Sequence, residues 1–262
     1  MSEQIGLPTN ENEKHPEVAQ EIIDTKLSRI DFEALRKRLS EDSVFLKVEA
    51  ILRALATLVI KLEPTLPNYT ALLSDETSGR TITLILRKLA NQIRAQTKRP
   101  PVDTYFLVGG YHRAENHDDS IRNFLVQNNL DKKGKVLLVT ESIQSGLSVL
   151  NFIRMFKQLG IDFEVATVSL APGVENGQIV PPANWILEPD LQGEIDKIYY
   201  GEAGNDSAGR HLHRIAGSGV AKGYNNLSPH PVPLISDNYK KKVISTREDI
   251  NVIVEEFSKL LG

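Results

Sequence analysis

The sequence predicts a three-layer α/β fold, Rossmann-like, with a mainly parallel sheet of about five strands and a helical N-terminal region. Three observations carry this. First, Lys135–Ser148 reads KVLLVTESIQSGLS, where the apolar β-formers Val136, Leu137, Leu138 and Val139 run into a small polar loop. Second, after Gly146 the spacing turns helical. Leu147, Leu150, Ile153, Met155, Phe156 and Leu159 are placed to face inward, Gly160 ends the helix, and a second apolar strand follows at Val165–Leu170. Strand, loop, helix, glycine, strand is one βαβ unit, the building block of parallel sheets. Third, Tyr69–Gln96 has a similar order: a short strand, a polar turn and a long amphipathic helix.

Composition bounds the rest. The chain has 262 residues, enough for one large α/β domain with appendages, and its 40% apolar and 25% charged residues are ordinary for a water-exposed globular chain. A net charge of −3 gives nucleic acid no bulk electrostatic attraction. The absence of cysteine excludes disulfides and thiolate metal sites and fits a reducing compartment, so a cytoplasmic location is expected. No apolar run approaches the roughly 20 residues of a membrane span.

Taken in order, residues 1–14 are polar and acidic and read as a disordered leader. Residues 15–68 form a helical region, a cap or hood on an α/β domain spanning 69–262, or else a homodimer surface. Val18, Ile22 and Ile23 open its apolar face, which continues through Leu27, Ile30, Leu35 and Leu39 with a break near Ser28. Ser43 is placed to cap a second helix with a stripe from Val44 to Leu62, ended by Pro64 and Pro67. Tyr69–Leu73 reads as a strand. Asp75, Glu76, Thr77, Ser78, Gly79, Arg80 and Thr81 form a polar turn, and a helix runs to about Gln96 with Ile82, Ile85, Leu86, Leu89 and Ile93 inward. Asp103–Val108 is a strand followed by Gly109-Gly110-Tyr111. A helix at 118–129 then leads into the central strand. Beyond Leu170 the chain is rich in Pro and Gly. Strands are expected near Trp185–Leu187 and Ile195–Tyr200, a Gly-rich loop at 201–231, and a closing helix at Arg247–Leu261.

Two stretches carry chemistry. The loop Ser142-Ile143-Gln144-Ser145-Gly146, followed by Leu147 and Ser148, joins a buried strand to a helix start. There unpaired N–H groups, hydroxyls and a glycine suit an anion, phosphate above all. Glu141 at the strand end can accept hydrogen bonds from sugar hydroxyls. The turn at 75–81 also joins acids, hydroxyls, a glycine and an arginine at a helix start. Asp75, Glu76, Ser78 and Arg80 are therefore candidates for a second wall, although acids and hydroxyls there also suit a helix cap.

The run from Val136 to Ser148 resembles the phosphoribosyl-pyrophosphate (PRPP) motif of type I phosphoribosyltransferases, and the resemblance covers roughly residues 80 to 171. Val136–Val139 match the strand, Glu141 the second acid, and Ser145, Gly146 and Ser148 the phosphate loop. The position of the first acid holds Thr140, and that of the second loop glycine holds Leu147. The resemblance implies that Glu141 and Thr140 stand at the catalytic ribose-gripping positions and that residues 142–148 hold the 5′-phosphate. It further implies that Gly109, Gly110 and Tyr111 receive pyrophosphate, and that Mg²⁺ arrives with PRPP or pyrophosphate rather than in a site made by the protein alone. The implied activity is transfer of phosphoribosyl to a nitrogenous base with release of pyrophosphate. The alternative is a non-catalytic, regulatory nucleotide- or phosphate-binding module on the same fold.

Overall fold

Five parallel strands form the central sheet of the computed structural model, which describes residues 16–46, 50–75, 79–107, 117–143, 147–170, 174–175, 178–179, 197–203 and 237–261. The strands are β1 (Ala71–Asp75), β2 (Asp103–Leu107), β3 (Val136–Ile143), β4 (Phe163–Leu170) and β7 (Ile198–Ala203), in the order β2-β1-β3-β4-β7. Between β4 and β7, Val174–Glu175 (β5) and Gln178–Ile179 (β6) pair as a small antiparallel ladder. The helices are α1 (Pro16–Leu27), α2 (Phe32–Arg38), α3 (Ile51–Leu62), α4 (Arg80–Gln96), α5 (His117–Gln127), α6 (Leu147–Leu159) and α7 (Asp237–Phe257). This is the three-layer α/β architecture that the βαβ pattern predicts.

The two faces of the sheet carry separate cores. On one face, α1, α2, α3, α4 and α7 cover Leu72, Leu137, Val139, Ala166 and Val168. On the other, α5 and α6 cover Leu73, Val136, Leu138 and Val165. Strand β3 lies in the middle with seven of its eight residues buried, as a parallel strand covered on both sides must be. Helix α3 is apolar almost all round, and nine of its twelve residues are buried against the other helices, β4 and β7. The N-terminal helices are therefore part of a covering layer of the sheet itself. Gly201 shows how close this packing is: a Cβ there would collide with the Ala54 carbonyl oxygen and lie 2.8 Å from that of Val168.

At the amino edge of the sheet, fully buried Tyr69 donates its hydroxyl to Glu164, which also accepts from Lys135 Nζ at 2.7 Å. Helix α6 ends as its sequence predicts. Gly160 takes φ +67°, and the Ile161 amide donates to the Phe156 carbonyl at 2.9 Å.

Several expectations shift. Ser43 does not cap the long helix. It leads a short 3₁₀ turn, Val44–Leu46, where its Oγ accepts from the Phe45 amide at 3.4 Å, and α3 starts only at Ile51. Ile22 is 52% exposed, while Ile23 and Leu27 face the core. Strand β1 begins at Ala71 rather than Tyr69 and includes Asp75, because its ladder with β2 and β3 starts there. Strand β3 continues through Ser142 and Ile143, so these two are strand residues and not loop. Strand β7 extends to Ala203, three residues past the expected end, and α7 begins at Asp237, ten residues before Arg247. The leader 1–14, Trp185–Leu187 and most of loop 201–231 lie outside the described residues. No helix among the described residues is long and apolar enough to cross a membrane.

Candidate functional site

In an open parallel sheet, a crevice forms at the carboxyl ends of two neighbouring strands whose connections leave in opposite directions. Here those strands are β1 and β3. From β1 the chain passes through α4 on one face to reach β2; from β3 it passes through α6 on the other face to reach β4. The two polar turns singled out in the sequence both leave from this boundary, since Ser74 near the end of β1 pairs with Val139 of β3.

The junction is tight for a reason visible at one atom. Gly79, the residue before α4, presses against β3: a Cβ there would collide with the Val139 carbonyl oxygen and lie 2.8 Å from Ser74 Oγ. A glycine lets the start of α4 reach the end of β3 without displacing either. Arg80, the first residue of α4, is 6% exposed, and its guanidinium stacks on the Phe106 ring of β2 at 4.3 Å. This holds the arginine at the carboxyl edge beside β1.

Glu141 lies two residues beyond Val139 on β3. It is 1% exposed, and both carboxylate oxygens are buried without a hydrogen-bond partner. Burial pushes its pKa up to about 9, so the side chain is a neutral acid at pH 7. A buried carboxyl with neither oxygen paired is costly, and such groups concentrate where a ligand completes them. Thr140 is also buried, and its hydroxyl reaches only the Ser142 carbonyl oxygen, at 3.5 Å.

The remaining expected residues are placed unevenly. Leu147 and Ser148 open α6. Ile143 is 1% exposed within the core beneath α6, which leaves its side chain no role at a phosphate. Asp75 ends β1 beside Leu107 of β2. Glu76, Ser78, Gly109, Gly110, Tyr111, Gln144, Ser145 and Gly146 lie outside the described residues.

Sequence reasoning missed two groups along the same edge. Ser169 on β4 is fully buried with an unpartnered Oγ. Glu202 on β7 has a buried, unpartnered Oε1, and burial raises its pKa. The available signal was polar residues interrupting apolar strands, in ATVSL and YYGEA. The described surface grooves lie elsewhere; one of about 950 Å³ runs past Glu63, Gln92, Gln96 and Leu261 on the helical layer. Among the described residues, the large exposed apolar side chains, Ile22, Val126 and Ile244, stand on three different helices.

No protein-family model matches the chain, and no curated protein matches it significantly.

Proposed function

We propose that the protein binds a 5-phosphoribosyl ligand, PRPP or a nucleoside monophosphate, in the crevice between β1 and β3. The observation that supports this best is Glu141, a buried acid with two unpaired oxygens at the end of the central strand. A ribose diol offers two hydroxyls to such a group. The start of α6 beside it offers backbone N–H groups and a positive helix end to the 5′-phosphate. In this reading Ser142–Ser148 surround the phosphate, mainly through backbone, and Asp75, Glu76, Ser78 and Arg80 form the second wall. Gly109–Tyr111 receive the pyrophosphate. Such a ligand belongs to the cytoplasm, which the cysteine-free composition also fits.

Among the described residues, no three His, Asp or Glu side chains are grouped to hold a metal ion. In this reading Mg²⁺ would come as a partner of the ligand's own phosphate oxygens, with Glu141 facing the ribose. The ion would supply charge neutralisation for departing pyrophosphate. If transfer occurs, the bond from ribose C1 to a pyrophosphate oxygen breaks, a bond to a base nitrogen forms, and the base nitrogen's proton passes to the departing pyrophosphate. This chain's residues would orient the ribose and phosphate for that exchange.

Binding is expected to outlast turnover. The neutral Thr140 occupies the position where the resembled motif carries an acid, and the connection Tyr111–Lys135 is short for a closing loop. Both features weaken transition-state stabilisation more than ground-state binding. This favours the regulatory, non-catalytic module as the second reading. Isothermal titration with PRPP, ribose 5-phosphate and nucleoside monophosphates tests the site. Glu141→Gln should weaken binding by about 0.5–1.5 kcal/mol, the net scale of a hydrogen bond between neutral groups. Equal affinity in a folded variant, or no binding by the wild type, sinks the assignment. Pyrophosphate release with a panel of bases then decides between enzyme and module.

A further inference from the structure

Ser142, Ser169 and Glu202 are mutual register partners on β3, β4 and β7, and register partners of a parallel ladder share one face of the sheet. They form a polar row across three strands at the carboxyl edge, where neighbouring positions would normally be apolar. Fully buried Ser169 has no partner for its hydroxyl, and Glu202 has none for its buried Oε1. A fully buried hydroxyl beside one buried oxygen of a half-buried carboxyl, both without a partner, costs stability unless something else pairs with them.

We infer that this row is a second subsite of the same crevice and reads the edge of a nitrogenous base. The inference rests on the phosphoribosyl reading and extends it to what the ribose carries. A carboxyl in the row repels phosphate, so a second phosphate does not fit. The row has one carboxyl, and no metal-holding group occurs among the described residues, so a metal ion does not fit either. A ring that presents an N–H donor beside an acceptor fits: the donor to Glu202 Oε1, the acceptor to the Ser169 hydroxyl. Position agrees with chemistry. Ser142 follows Glu141 at the carboxyl end of β3, so both stand at the same edge although their side chains leave the strand on opposite sides, and two interstrand steps carry the row about 10 Å to β7.

The test uses the full chain and measures affinity for ribose 5-phosphate and for AMP, GMP, CMP and UMP. At least one nucleotide should bind ten-fold or more tightly than ribose 5-phosphate. Glu202→Gln should remove most of that margin and leave ribose 5-phosphate binding unchanged. Ser169→Ala should narrow it too, and because it deletes an unpaired buried hydroxyl it should fold at least as stably as wild type. If ribose 5-phosphate binds but no nucleotide binds more tightly, or if the margin survives in both variants, the row is not a base subsite, although the phosphoribosyl site stands. If neither ribose 5-phosphate nor any nucleotide binds, both readings fall together.

Discussion

At Glu141 the fold holds a carboxyl far from its ordinary state, and the sign of the consequence follows from linkage. Its pKa is pushed up to about 9 in the folded chain, against 4.5 for an ordinary glutamate. Between those values the folded state holds a proton that the unfolded state has lost. Stability therefore falls as pH rises from about 4.5 towards 9 and levels off above. Glu141→Gln should flatten that slope and stabilise the protein at pH 7 by on the order of 3 kcal/mol, read by urea unfolding across the pH range. A variant no more stable than wild type would show that the acid is not held neutral. The same proton should be released when a Mg²⁺-bearing phosphoribosyl ligand docks, giving a titration enthalpy that depends on the buffer. A second residue effect is local. Lys98 at the end of α4 has φ +55°, and the amide of Arg99 closes the helix on the Arg94 carbonyl at 2.8 Å. Lys98→Gly relieves the left-handed strain and should raise stability by ~0.5–1 kcal/mol, net of the extra freedom glycine gives the unfolded chain.

Elements with strong periodicity were legible in the sequence. Helix α4 ends at Gln96 as its apolar spacing indicates, and α6 ends at Gly160. What local pattern hid was set by tertiary contact. Gly201 reads as a loop residue, yet it continues β7 because α3 leaves no room there for a side chain. The site divides in the same way. Glu141 stood out by its motif, but its neutrality depends on burial that only assembled packing creates. Ser169 and Glu202 become neighbours only through the pairing of β4 with β7, which no local pattern encodes. Two substitutions probe these junctions. Gly79→Ala drives a methyl into the Val139 carbonyl and should displace the start of α4, lowering stability by about 1–3 kcal/mol and reducing phosphoribosyl-ligand affinity. Gly201→Ala should cost similar stability by pushing α3 off the sheet edge, with ligand affinity less affected. Chemical unfolding paired with titration separates the two, and equal loss of affinity in both would count against a site centred on β1 and β3.

Over the whole molecule, one covering layer is built from both ends of the chain. Asp249 on α7 is 2% exposed and accepts from the Ser40 amide at 2.9 Å and from its hydroxyl at 2.8 Å, while Ser245 donates to that hydroxyl at 2.7 Å. Arg38 reaches Glu255 at 2.6 Å and Glu256 at 3.1 Å across the same joint. Asp249→Ala should cost about 1–3 kcal/mol, because it leaves the half-buried amide and hydroxyl donors of Ser40 without their acceptor, and calorimetry should show the whole domain melting lower rather than a separate early transition. The packing of α3 has a further consequence for the chain as it is made. Helix α3 ends at residue 62, but its seats on the sheet, β4 and β7, begin at residues 163 and 198. During synthesis its apolar stripe leaves the ribosome long before the surface that covers it, while β3, α5 and α6 can already associate. A nascent chain that has emerged to about residue 160 should therefore present α3 to a holding chaperone, and one that has emerged past β7 should not.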